Sequence, residues 1–129
     1  MITINPELKK IIETSYIALA TCDKLMKPNL IIVNGVHVVG PNQILVTDKC
    51  MVKTRVNLLV NGQLSLAVWQ GDQAFQLKGN AQYITSGSWK KIVDAYPENK
   101  KQVHKAAVLV NITEIWDLHN CKLLLSDNY

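Results

Sequence analysis

Lys49, Lys53 and Arg55 crowd the start of a predicted helix, with Thr54 between the last two. In "ILVTDKCMVKTRVNLLVNG" (44–62), a strand-like run from Ile44 to Thr47 leads into helical spacing. Val52, Val56, Leu59 and Val60 share one face, and Asn61-Gly62 is a stop signal. The first turn of a helix carries positive partial charge and unpaired N–H groups, so carboxylates normally belong there. Cations at that end suit a bound anion, above all a phosphate. Backbone amides, helix dipole, a lysine and the Thr54 hydroxyl would converge on it. The alternative is a solvated cationic face, with Asp48 capping the helix and offsetting the repulsion.

Other chemistry is sparse. Glycine-rich nucleotide loops, H-E-x-x-H and G-x-S-x-G are absent. His37, His104 and His119 are scattered, and His37, in mid-strand, reads as a structural residue. Asp72, Asp94, Asp117 and Asp127 form no acid–base pair in the sequence. Any hard chemistry therefore belongs to a cofactor. Cys22, Cys50 and Cys121 are far apart, without a Cys-x-x-Cys, which predicts structural thiols in a reducing cytoplasm. Cys50 is the one a helix start would activate.

These residues need a scaffold. The 129 residues suit one domain (1–129) with a hydrophobic core, and 48% hydrophobic with 19% charged residues suits a globular chain. A net charge of +4 is too small to point to nucleic acid. The N-terminus lacks the basic and apolar segments of a signal peptide. Residues 28–47 carry no Asp, Glu, Lys or Arg, but the polar and turn residues inside them indicate two strands rather than a membrane span.

Asn5-Pro6-Glu7 opens a short helix through Leu8, Ile11 and Ile12. "SYIALATC" (15–22) reads as a strand, and "KPNLIIVNGVHVV" (27–39) as one long strand with Gly35 a bulge. "GPNQ" turns it back into "ILVTD". "QLSLAVWQ" (63–70) and "AFQLKGNAQYIT" (74–85) form a second hairpin, with Gly79 a bulge. "SGSWKKIVDAYPENKKQVHK" (86–105) is a serine-capped helix with Trp89, Ile92, Val93 and Tyr96 at helical spacing, ended by Pro97. Its Lys90-Lys91 and Lys100-Lys101 pairs read as solvated. "AAVLVNITEIWDL" (106–118) is a long last strand before a short "CKLLL". Six or so antiparallel strands with few helices predict a mainly β fold, a small barrel closed on its own edges.

The ordered set "KPN" before a long strand, the return "ILVTD", Met-x-Lys-Thr at the helix start and Asn-Gly before "LSLAVW" resembles the FMN-binding split-barrel family. That family includes the pyridoxamine 5′-phosphate oxidases and small FMN-binding proteins. The later "FQLKGNAQY" and "AAVLVNITEIWDL" resemble its closing strands, so the likeness spans about residues 15–118. It implies an antiparallel split β-barrel with short flanking helices and FMN as cofactor. Lys53 and Thr54 match the phosphate-contacting pair. Val46, Thr47, Asp48 and Lys49 match the segment passing the ribityl phosphate, with Met51 beside it. Ile31, Ile32, Val33 and Asn34 match the strand along the isoalloxazine edge.

The resemblance also implies a cytoplasmic homodimer doing electron or hydride transfer with an unidentified small-molecule redox partner, and neither nucleic acid nor a membrane as partner. A deazaflavin F420-dependent relative and a non-enzymatic flavin carrier are the alternatives. Arg55 is the only arginine, and the chain lacks the C-terminal Trp and Arg segment of the full-length oxidases before Asn128-Tyr129, so vitamin B6 oxidation is not expected. Trp69 and Trp116 are strand aromatics, placed either in the core or along the flavin or its dimer neighbour. Gln76 reads as an outward-facing polar residue.

Overall fold

Asn5 starts the first helix as its residue type predicts. Its side chain accepts from Leu8 N–H at 2.8 Å, Pro6 occupies the first turn, and Leu8, Ile11 and Ile12 turn inward from α1 (Pro6–Thr14). The structure, a computed structural model, describes residues 2–126; Asp127, Asn128 and Tyr129 lie outside them. After α1 come β1 (Ile17–Cys22), β2 (Pro28–Val33), β3 (His37–Gly40), β4 (Gln43–Asp48) and α2 (Lys53–Val60). β5 (Gln63–Gln70), β6 (Gln73–Ile84), α3 (Ser88–Ala95), a 3-10 turn (Pro97–Asn99), β7 (Ala106–Asp117) and β8 (Lys122–Ser126) follow.

All strand pairs are antiparallel, in the order β2-β1-β5-β6-β7-β4-β3, with β8 also on β7. The eight strands exceed the expected six or so partly because residues 27–39 are two strands rather than one. Gly35 stands at φ +65°, in the left-handed region, and breaks the run. β2 then pairs with β1 while β3 pairs with β4, at opposite ends of the strand order. Only residues 34–36 join them, and the four steps from Val33 to His37 reach at most about 14 Å. The two edges must therefore meet, which closes the sheet. Val36, fully buried, fills the seam.

Gly79 does mark a bulge, with the β6–β7 register shifting between Lys78 and Gly79. A Cβ there would stand 2.2 Å from the Asn111 carbonyl oxygen, so the close strand approach excludes any side chain. Inward residues of β1 and β5, among them Ile17, Leu19, Leu66 and Val68, meet Val108, Val110 and Ile112 of β7 in the main core. A second cluster, Leu45, Val93, Ala107 and Leu109, seats α3 on the outside, so β4 is buried on both faces.

Three expectations about helices fail. Gly87, at φ +91°, is the N-cap of α3 and no serine side chain caps it. Lys90, expected to be solvated, is largely buried against Asp94 at 2.6 Å. The larger departure is α2. Val52, Val56, Leu59 and Val60 do share a face, but it is the exposed one, while Thr54, Asn57 and Leu58 point inward. The reason lies beneath the helix. Thr21 on β1 accepts from Asn57 Nδ2 at 3.0 Å, and Asn29 Nδ2 on β2 donates to Thr54 Oγ1 at 3.1 Å. Polar partners waiting on the barrel select the polar side of the helix. Among the described residues, no helix is long and apolar enough to cross a membrane.

Candidate functional site

Between β4 and α2 the chain makes a turn that Asp48 organises. Asp48 is fully buried; its Oδ1 accepts from Met51 N–H at 2.8 Å and its Oδ2 accepts from the Tyr83 hydroxyl. Asp48 therefore caps the turn at 49–51, not α2 itself. The helix begins later, at Lys53, behind Val52, with neither a side-chain cap nor an acid in its first turn. Burial first, then the Asp48 hydrogen bond and charge, push the Tyr83 hydroxyl far above the ordinary tyrosine range, so it stays a donor. Tyr83→Phe removes one hydrogen bond to a charged acceptor. It is expected to lower unfolding stability by about 1.5 kcal/mol, measured by urea titration at neutral pH, and to leave the fold intact.

That turn and β2 form the two walls of a trough. Its narrower hollow, of about 140 Å³, is lined by Ile31, Ile32, Val33, Asn34, Thr47, Lys49, Cys50 and Met51. Seven of these eight are residues singled out from two distant stretches of sequence. Cys50, expected to be structural, is exposed and lies on this wall. Lys49 Nζ bridges the walls by donating to Asn34 Oδ1 at 3.0 Å. Thr47 Oγ1 accepts from Asn99 Nδ2 at 3.0 Å, so its hydroxyl is already engaged. Val46 and Asp48 are buried behind the wall and do not line it.

Farther along the same walls is a hollow of about 380 Å³ lined by Asp23, Lys27, Pro28, Asn29, Val52, Lys53, Val56 and Asn57. Lys53 faces this one, while Thr54 is buried with its oxygen accepting from Asn29. The Asp23 carboxylate is occupied by the amides of Leu25 and Lys27, at 2.8 and 2.9 Å. Lys27, Lys49, Lys53 and the start of α2 thus line a trough whose apolar surface comes chiefly from Ile31, Ile32 and Val33 on β2. A ligand with a flat apolar body and an anionic end fits such a surface.

Several residues here were not picked out as site residues. Lys27 and Asn29 lay in plain view in "KPN". His37 and Glu98 did not, because 61 positions separate them. Apart from the four aspartates weighed in the sequence, His37 Nε2 donates to Glu98 Oε1 at 2.5 Å, and the ring stacks on Tyr96. Of the strand aromatics, Trp69 is exposed and Trp116 is half-buried, its Nε1 donating to Glu114 at 3.0 Å; neither lies in a core cluster. Gln76 is half-buried and donates to Ser65 Oγ at 3.2 Å.

No protein-family profile matches the chain. An uncharacterized Methanocaldococcus jannaschii protein is 29% identical over 123 residues, covering 92% of this chain and 83% of its own. Among solved structures, HupZ of Group A Streptococcus superimposes with a TM-score of 0.87 at 20% identity, over 94% of this chain and 98% of HupZ. An FMN-binding protein of Syntrophomonas wolfei gives 0.72 at 19% identity, over 85% and 82%. A Clostridium acetobutylicum protein of the pyridoxinephosphate oxidase family gives 0.71 at 12% identity, over 95% and 94%. An F420 reductase and HutZ, the heme storage protein of Vibrio cholerae, share the fold at TM-scores of 0.68 and 0.65, with 12% and 15% identity. They cover 87% and 90% of this chain and 98% and 95% of their own. The antiparallel barrel anticipated from the sequence is therefore the split barrel that these flavin, deazaflavin and heme proteins share.

Proposed function

We propose that this chain, built on the FMN-binding split barrel, holds FMN along the trough between β2 and the turn at 49–53, and that the flavin is the redox centre of an oxidoreductase. One observation carries the reading: Ile31 to Asn34 and Thr47, Lys49 and Met51, far apart in sequence, line one hollow, and Lys53 lines a second one set between β2 and α2. The apolar strand would bear the ring, Lys49 would stand beside the ribityl chain, and Lys53 with the first amides of α2 would take the phosphate. When bound, FMN supplies the hydride or electron transfer. The protein's part is to fix the ring and exclude water from one face.

A hollow of about 140 Å³ falls well below the roughly 300–1,000 Å³ of sites that enclose a ligand. A flavin there would keep one face open. We assign the missing wall to a second copy of the chain, so that the working unit is a homodimer. The three lysines would equally suit the anionic tail of F420.

The test is the spectrum of protein purified without added cofactor, followed by reconstitution. The yellow visible absorption of oxidised flavin, with one FMN released per chain on denaturation, is the expected result. A deazaflavin spectrum would reassign the cofactor, and a heme band or a colourless chain that takes up no FMN would sink the reading. Turnover with NAD(P)H then separates an enzyme from a carrier.

A further inference from the structure

Asn99 closes the 3-10 turn after α3 and is almost fully buried. Its Nδ2 donates twice, to Val93 O at 2.8 Å and to Thr47 Oγ1 at 3.0 Å, while its Oδ1 has no hydrogen-bond partner among the described residues. The Val93 contact fixes which end of the amide is nitrogen. A backbone carbonyl only accepts, so an amide turned the other way would set two acceptors against each other. Thr47 must therefore be the acceptor in the second contact, although 52 positions separate it from Asn99.

The consequence falls on the Thr47 hydrogen. Thr47 is 5% exposed and lines the smaller hollow. A hydroxyl has one hydrogen beside its two lone pairs, and its torsion turns all three together. With an Asn99 N–H aimed at one lone pair, the hydrogen is held away from Asn99, and no described residue accepts it. Thr47 is β-branched and stiff at χ1, so Asn99 fixes its remaining freedom. Water takes such a hydrogen while the hollow is open. A ligand that displaces the water must supply an acceptor or lose affinity.

We infer, resting on the reading that a flavin lies along this trough, that Asn99 is a positioning residue: it holds the Thr47 hydroxyl as a hydrogen-bond donor to the ring or ribityl part of the ligand. The oxidised flavin ring offers nitrogens and carbonyl oxygens, and the ribityl chain offers hydroxyl oxygens, all of them acceptors. Since the phosphate is assigned to Lys53 in the other hollow, this donor serves FMN and riboflavin alike. It recognises the body of the ligand, whereas Lys53 recognises the charge.

The experiment measures FMN and riboflavin dissociation constants for the native chain, Thr47→Val, Thr47→Ser, Asn99→Ala and the double variant Thr47→Val/Asn99→Ala. Thr47→Val keeps the shape and loses the donor, so both ligands are expected to bind about 3- to 10-fold more weakly, while Thr47→Ser stays near native. Asn99→Ala frees the hydroxyl among about three staggered positions and should cost about threefold. Added to Thr47→Val it should cost nothing further, because Asn99 acts through that hydroxyl. The inference is overturned by native affinity in Thr47→Val, by a Thr47→Val loss confined to FMN, or by a full Asn99→Ala loss in the double variant. NMR of the ligand-free chain reads the orientation without flavin, and without Asn99→Ala should that variant not fold. Thr47→Val should shift one Asn99 side-chain amide proton and leave the other, on Val93 O, in place. Two unmoved protons would overturn the inference whether or not flavin binds. The single shift without flavin binding upholds the orientation and removes only the flavin.

Discussion

Replacing Lys53 with alanine is expected to weaken FMN about 10- to 150-fold while leaving riboflavin almost untouched. Lys53 is the first residue of α2 and an exposed wall of the larger hollow. With no acid in that turn, its charge opposes the helix dipole, a cost of about 0.3–1 kcal/mol when no anion is present. A phosphate of charge near −2 reverses the local sign. The lysine then supplies a charge-assisted hydrogen bond of about 1.5–3 kcal/mol, and each 1.4 kcal/mol is tenfold in affinity. Riboflavin has no phosphate, so it isolates this contribution. Unfolding of the ligand-free variant should change little, since Lys53 has no acidic partner within salt-bridge distance among the described residues. Titration of both ligands against both proteins checks it. An equal loss for FMN and riboflavin would show that Lys53 supports the fold instead. Lys27 lines the same hollow, so Lys27→Ala/Lys53→Ala together should lose more FMN affinity than Lys53→Ala alone.

Much of this trough was legible in the sequence, because the signals were local. Asn5-Pro6, the Asn-Gly stop after α2 and the Gly79 bulge each rest on one residue's backbone chemistry, and each stands where its residue type places it. What the sequence hid depends on partners far along the chain. Val52, Val56, Leu59 and Val60 made the apolar stripe that normally marks a core face. Nothing near them in sequence announced that Thr21 and Asn29 would draw the opposite face inward. Gly35 reads equally as a bulge or a break. The choice is made by β2 and β3 finding different neighbours, a property of sheet closure rather than of the glycine. Asp48 was legible as a cap, but not that its buried second oxygen belongs to Tyr83, 35 positions on. His37 and Glu98 meet only because the barrel closes at residues 34–36.

The inverted helix has a consequence for assembly. Leu59 is 62% exposed, Val56 53% and, on the neighbouring strand β2, Ile32 57%. Leu30, Val52 and Val60 are exposed as well, as is Trp69 on β5. Scattered apolar side chains are ordinary on a surface, but five of these seven lie on α2 and β2, the elements that wall the trough, and Val52 stands at the N-cap of α2. Fully burying one such side chain contributes about 1.5–3 kcal/mol, so a partner covering several would be held firmly. A second copy would also provide the wall that the shallow hollow lacks. Ile32→Glu and Val56→Glu are therefore expected to convert a dimer to monomers by light scattering. Each places a carboxylate where two apolar surfaces meet, and an unpaired charge resists desolvation. FMN affinity should fall with the dimer, at least tenfold for Ile32→Glu, whose side chain also borders the ring site. Val103→Glu is the control, because Val103 is 84% exposed and lies beyond α3, so the dimer and FMN binding should both survive it. A native chain that is already monomeric and still holds FMN would refute the shared site. The flavin would then rest on one chain alone, with its open face left to the redox partner.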